Sequence, residues 1–412
     1  MSYFRYFSTL ILSLSVNVIY ATIFAMMMFA KQVYAQLPYG TVDVTDPNTQ
    51  IPASVKPLFD TELRDTQITM GPDNYYYMTG TTIHDGGSFW GWNAGIHVWK
   101  SQDLKHWQPL GLVAELDKMN SWISDYYVYP KEGSEPGKVY KPNELPTDLD
   151  TLEKTHLVRR CAWANEIHYV PSQKTFFIVG SINHNKILPE NTPYIGRGKP
   201  GGTFMLRSIS GKAEGPYVDV QPEKPLTDGI DSSLFVDDDG KAYYVYQAHG
   251  IARIKDDFSG LAEEPRYTEF KAIDGVYHNE GAFLFKANGK YHYVTTSWSV
   301  KPEGSEFYTY DHSKSKRGKK LVDLHSYDPL LATSENVYGP YGEMRNVLSG
   351  GGHGNFFKDK DGQWWGTIFW NPLNTINPEG LSKRPALVAM KWQGEKLVVD
   401  KARTDEFYAD MR

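Results

Sequence analysis

The feature that most constrains this chain is a pattern that occurs five times. In GIDSSLFVDDDGKAYYVY, Gly229 to Tyr246, an acid stands at the head (Asp231). An apolar run follows (Leu234, Phe235, Val236), then an Asp-Asp-Gly turn and a run of aromatic and β-branched residues. This reads as two short strands joined by a tight glycine-containing turn, a β-hairpin. The pattern recurs in LRDTQITMGPDNYYYMTGT ending at Thr81, CAWANEIHYVPSQKTFFIVGS ending at Ser181, HNEGAFLFKANGKYHYVTTS ending at Ser297 and GGHGNFFKDKDGQWWGTIF ending at Phe369. A second element follows each hairpin, in chain order VWKSQDLKHWQPLG, LRSISGKAEGPYVDV, IARIKDDFSGLAEEP, LATSENVYGPYGE and LVAMKWQGEKLVV. Sheets repeating at tens of residues, with inner strands from the hairpins and outer strands from these elements, are the blades of a propeller. The expectation is an all-β, five-bladed β-propeller.

Counting back from each turn places a polar residue at a constant offset. Nine residues before Gly240, Gly289 and Gly362 stand Asp231, Glu280 and His353, and nine before Asn74 and Lys174 stand Asp65 and Asn165. If each hairpin begins with the strand nearest the axis, these five side chains form a ring at one height around the central mouth. The first two alignments carry no glycine to fix them and tolerate a slip of one residue.

The N-terminus has Arg5, a mostly apolar run from Tyr6 to Ala30, and Val33-Tyr34-Ala35 before Gln36. This is the layout of a secretory signal spanning residues 1–35 and cleaved after Ala35. The run is also long enough to span a bilayer, so an uncleaved anchor is the alternative. The expectation is a secreted or periplasmic protein, free of the membrane once the signal is removed. Residues 36–51 read as a Pro/Thr/Asp-rich arm, and residues 52–412 as one catalytic domain. Cys161 is the only cysteine, so stability must come from the core and not from a disulfide. Forty-one per cent hydrophobic residues make that core feasible, and a net charge of −6 gives no basic footprint for nucleic acid.

Trp90 and Trp92 sit in a Gly-rich loop after the first hairpin, placed either to stack on a sugar ring or to pack on the neighbouring blade. Two long loops, 115–155 and 183–202, are candidates to wall the mouth. Trp163 and Asn165, heading the second hairpin, are candidates for substrate contact. Glu166 is read as structural, and Cys161 as buried and inert.

Three acids at one mouth, Asp65, Asp231 and Glu280, are costly to assemble because like charges raise one another's proton affinity. A glycosidase needs such a set: one acid kept protonated for the leaving oxygen, another ionised to activate water. A single Asp before a strand is ordinarily a turn cap; three at one offset in separate repeats are poorly explained that way. Asp237, Asp238 and Asp239 are read as solvated turn residues.

The heads RDT at 64–66, IDSSLFVDDDGK at 230–241, NEGAFLFKANGKY at 279–291 and GGHGNFFKDKDGQWW at 351–365 resemble glycoside hydrolase family 43, with the resemblance running over nearly all of the mature chain. It implies an inverting mechanism on a five-bladed propeller. Asp65 falls at the general base, Glu280 at the general acid, and Asp231 at the acid that tunes and orients its partner. His353 falls at a histidine on the axis near a bound cation, often calcium; a neutral histidine hydrogen-bonded to inner-strand backbone is the alternative. The resemblance calls for no cofactor in the chemistry itself and for a structural calcium on the axis. Where the family commonly has Asp-Pro, Trp-Ala-Pro and Glu-Gly-Pro, this chain has Asp65-Thr66, Asp231-Ser232, Trp163-Ala164-Asn165 and Glu280-Gly281-Ala282. These departures bear on substrate identity and leave the acids in place.

The expected function is an exo-acting inverting glycosidase on polysaccharide-derived oligosaccharides, a β-xylosidase or α-L-arabinofuranosidase. The alternatives are an exo-β-galactosidase of the same fold and a glycan-binding propeller without catalysis.

Overall fold

The structure is a computed structural model, and it describes residues 41–42, 46–82, 93–124, 161–183, 202–247, 249–270, 279–302, 307–311, 324–369 and 383–411. Its strands assemble into five antiparallel sheets, blades I to V in chain order. Blade I comprises Leu63–Met70, Tyr76–Thr82, Gly95–Ser101 and Gln108–Glu115; blade II Cys161–Val170, Thr175–Asn183, Gly202–Ser208 and Tyr217–Asp219; blade III Ser233–Val236, Ala242–Tyr246, Gly250–Arg253 and Arg266–Tyr267. Blade IV comprises Asn279–Ala287, Lys290–Val300, Leu324–Ser334 and Arg345–Asn346, and blade V Phe356–Lys358, Trp364–Phe369, Pro385–Gln393 and Lys396–Val399. The expected propeller is the observed fold, with every hairpin supplying the first and second strands of a blade. The third strand of blade IV starts at Leu324, seven residues before the expected Leu331.

The turns explain why these residues pair. Asn288 (φ 51°) and Gly289 (φ 74°) close the Ala287–Lys290 pair with both central residues left-handed, a type I′ geometry that suits the twist of the two strands. In the other four hairpins a single left-handed residue breaks the turn: Asn74, Lys174, Gly240 and Gly362. The turn positions inferred for Asn74 and Lys174 are thus the left-handed ones although neither is glycine.

The second strand of a blade is buried on both faces because another blade covers each; every residue of Tyr76–Thr82 and Ala242–Tyr246 is buried. Apolar side chains therefore collect in slabs between blades. Ile96 and Val98 of blade I pack with Ile167 and Ile178 of blade II. Phe177 and Met205 meet Leu234 and Tyr244 between blades II and III, and Val245 and Ile251 meet Leu284 and Leu330 between blades III and IV. At about 1.5–3 kcal/mol for each fully buried large side chain, these slabs are the main source of cohesion. The axis is left to polar groups.

Blades V and I close the ring through the largest slab, which joins Phe285, Trp365 and Leu387 to Leu63, Ile68 and Met78. Asn355 fastens the seam, accepting from Ile68 N (3.0 Å) and donating to Ile68 O (2.8 Å). The C-terminal helix Lys401–Ala409 covers blade V where its fourth strand stops short: Thr404 Oγ1 and Tyr408 OH accept from Ala389 N and Leu387 N, which that strand does not reach. Val42–Arg412 form one compact unit. Among the described residues no helix is long and apolar enough to cross a membrane, and residues 1–35, read as the signal, lie outside the described set.

Candidate active site

The head of each innermost strand is bent by one residue in the left-handed region: Asp65 (φ 55°), Ala164 (φ 48°), Asp231 (φ 53°), Gly281 (φ 70°) and Gly352 (φ 76°). Aspartate tolerates this conformation better than most residues. In blades I, II and IV the pairing register shifts at the same place, between Arg64 and Gln67, Trp163 and Glu166, and Glu280 and Phe283. In blades I and III the kinked residue is itself the aspartate that meets His353.

The kink does not keep a constant offset: it lies nine residues before the left-handed turn residue in blades I and III (65 to 74, 231 to 240), ten in blades II and V (164 to 174, 352 to 362) and eight in blade IV (281 to 289). In blade II it falls on Ala164, so Asn165 occupies the position of Thr66 and Ser232, not that of Asp65 and Asp231. Asn165 is fully buried and its Nδ2 donates to Gly80 O of blade I at 2.8 Å, as Ser232 Oγ donates to Gly180 O of blade II at 3.1 Å. Its amide nitrogen thus ties two blades together. Trp163 is half-buried at the head of blade II. Trp90 and Trp92 lie outside the described residues, as do 125–160 and 184–201, the greater part of the two long loops.

The other ring residues converge. His353 Nδ1 stands 3.7 Å from Asp65 Oδ1 and 3.9 Å from Asp231 Oδ2, with the three side chains 6%, 13% and 8% exposed. Asp231 Oδ2 also accepts Gly281 N at 2.9 Å, linking blade III to the residue after Glu280. Gly281 has to be glycine: besides its positive φ, a Cβ there would meet Thr296 Oγ1 at 2.7 Å and the His353 ring at 2.9 Å. The Glu280-Gly281 pair thus provides an acid followed by the bare backbone on which the imidazole rests.

Two supporting hydroxyls were not singled out from the sequence. Thr81 donates to Asp65 Oδ2 at 2.5 Å and accepts Ala164 N at 2.7 Å, fixing one carboxylate oxygen of Asp65. Tyr327 donates to Glu280 Oε1 at 2.5 Å. Thr81 pairs with Arg64 in the register of the first hairpin, so a careful pairing of that hairpin finds it. Tyr327 comes from a third strand, where no local pattern points inward.

Burial pushes the Asp231 carboxyl up; the neighbouring His353 pulls the other way, Glu280 and Asp65 push it further up, and the Gly281 N–H opposes them, with the balance at about 7. A coupled cluster of this kind holds a proton near neutrality as a shared property, which general acid catalysis requires. Glu166 is buried and lies 2.8 Å from His168 Nε2, away from this cluster in blade II's own strand. Cys161 is a buried free thiol.

Among the described residues no group of three or more His, Cys, Asp or Glu side chains is arranged to hold a metal ion. His353 directs Nδ1 at two carboxylates, while calcium takes six to eight oxygen ligands. The described residues around His353 do not form a shell for a directly coordinated calcium.

A family model described as glycosyl hydrolases family 43 matches residues 143–396. The match takes in blades II to IV and all but the end of blade V; blade I, the source of Asp65, lies before it. An Escherichia coli (strain K12) protein named "Putative beta-xylosidase" is 24% identical over 313 residues, covering 71% of this chain and 46% of that protein. An Aspergillus niger protein named "Beta-D-galactofuranosidase xynD" is 32% identical over 165 residues, 36% of this chain and 47% of that protein. The chain spans about half the length of these curated relatives. The crystal structure of the GH43 BlXynB protein from Bacillus licheniformis superposes with a TM-score of 0.53 at 19% identity, over 84% of this chain and 56% of that one. With the family model covering more than half of the chain and the same fold in its solved members, this chain belongs to glycosyl hydrolases family 43.

Proposed function

We propose that this protein is a secreted, exo-acting, inverting glycosidase that removes terminal pentosyl residues, as a β-xylosidase or α-L-arabinofuranosidase, from polysaccharide-derived oligosaccharides. The observation that carries the reading is the convergence of Asp65 and Asp231 within 4 Å of His353 Nδ1, beside Glu280. A binding-only propeller has no use for a buried proton-sharing carboxyl cluster, whose like charges destabilise the fold. The name of one curated relative, "Putative beta-xylosidase", supports a pentosyl substrate, while that of the other, a β-D-galactofuranosidase, names a hexofuranosyl sugar.

In this reading Asp65, with one oxygen fixed by Thr81, removes a proton from water as the water attacks the anomeric carbon. Glu280 gives its proton to the departing oxygen. Asp231 and His353 orient and tune the pair, and no cofactor enters the chemistry. Inversion requires the two working carboxyls roughly 6.5–9.5 Å apart.

The test is proton NMR of the first-formed sugar, released from a panel of aryl xylosides, arabinofuranosides and galactosides. The expected product has the opposite anomeric configuration from the substrate. A product of retained configuration means a covalent intermediate and refutes Asp65 as base; an absence of hydrolysis across the panel refutes the enzyme reading.

A further inference from the structure

Glu280 is held from outside its own hairpin. Tyr327, on the third strand of blade IV, donates its phenol to Glu280 Oε1 at 2.5 Å and is 2% exposed. Its ring is fixed by a stack on Trp298 (centroids 4.8 Å, 22° between planes) and an edge contact with Phe369 of blade V (6.4 Å, 65°). Its carbonyl accepts Gly352 N at 2.8 Å, so the strand that carries the phenol also holds the residue before His353. Burial, then the charge of Glu280, keep the phenol far above its usual range, so it remains a donor at every working pH.

We propose that Tyr327 is the positioning residue of the general acid: it engages Oε1, leaves Oε2 to carry the proton, and stabilises the carboxylate left behind. This rests on the assignment of Glu280 as acid. In the step concerned, the bond between anomeric carbon and leaving oxygen breaks, its electron pair goes to that oxygen, and the proton of Oε2 follows. The negative charge arrives on Glu280, where Tyr327 keeps its own proton and donates a hydrogen bond that is now charge-assisted. Because that charge exists only as transfer proceeds, the bond is stronger in the transition state than before it, the condition for accelerating the step. The other titratable groups around this pair are Asp231, Asp65 and His353 on the neighbouring inner strands. None of them donates to Oε1 among the described contacts, so the phenol's contribution is separable from theirs.

The test uses the full chain carrying Tyr327→Phe, which keeps the ring and its stack. The expected result is a roughly 10- to 100-fold loss of kcat on glycosides with poor leaving groups. Dinitrophenyl glycosides, which need little protonation, change by less than about threefold. The alkaline limb of the kcat/KM profile moves to higher pH as the carboxylate loses a donor. Site-specific 3-fluorotyrosine at 327, a stronger donor, moves the limb the opposite way and decides the matter should the Phe variant not fold. Equal losses on both substrate classes with an unmoved limb overturn the role and leave Tyr327 as packing. Glu280→Gln separates the two claims: if it too is indifferent to the leaving group, the acid assignment falls and this role with it.

Discussion

Asp231 and Asp328 are both buried and both pushed up by burial, yet they are built differently. Asp328, in blade IV, accepts three hydrogen bonds: Gly350 N at 2.6 Å, and Tyr310 OH and Ser326 Oγ at 2.8 Å each. Its carboxyl sits at about 6 because burial outweighs these donors. Asp231 accepts one short bond, from Gly281 N, and otherwise faces Glu280, Asp65 and His353. A buried acid whose oxygens are saturated by fixed donors is a clamp, here on the segment leading to His353. A buried acid left short of donors among other titratable groups is suited to sharing protons.

The largest effect expected from breaking this contrast lies at Asp65, on the proton-sharing side. Asp65→Asn should lower kcat/KM about a thousandfold for good and poor leaving groups alike, since both need the water activated, with the melting temperature nearly unchanged. Steady-state kinetics beside calorimetry checks this, and a loss confined to poor leaving groups would move the acid role to Asp65.

Next is the clamp. Asp328→Ala strands three donors and should cost about 2–4 kcal/mol in urea denaturation. Asp328→Asn should cost much less, because Oδ1 still accepts Gly350 N and the two hydroxyls can turn. The raised carboxyl also fixes a sign. Between roughly pH 4 and pH 6 the native state keeps the Asp328 proton while the unfolded chain has released it, so stability falls as pH rises through that window and then levels. Asp328→Asn should remove this share of the slope.

A smaller effect is expected at Asp231. Asp231→Asn removes a buried charge, keeps an acceptor for Gly281 N, and should leave stability at pH 8 unchanged or raised by up to about 1 kcal/mol. The alkaline limb of its pH–rate profile should move down, since the acid loses a neighbouring anion. Destabilisation as large as that of Asp328→Ala would erase the distinction between clamp and proton-sharing site.

The smallest expected effect is that of chelation. Incubation with EDTA followed by dialysis should change kcat/KM by less than about twofold; a larger loss restored by calcium would mean that His353 reaches a cation through water.

How much was legible follows from how local each signal is. The five hairpins announce themselves because turn residues and strand alternation lie within twenty residues of one another, and the acids at their heads lie within ten residues of a turn. Asn165 stands one residue past the kink of blade II and turns into the seam with blade I, a placement invisible without the pairing register. Thr81 was within reach of the register; Tyr327 was not.

The sequence by itself determined the blade count and the all-β class, since hydrophobic period and turn chemistry are properties of short segments. Only the tertiary structure decided which polar residues meet on the axis and which tie blades together. One residue past a left-handed kink, Asn165 ties into an interblade seam while His353 faces the acids, and the hydroxyls of Thr81 and Tyr327 reach their carboxylates only when separate strands are packed around one axis.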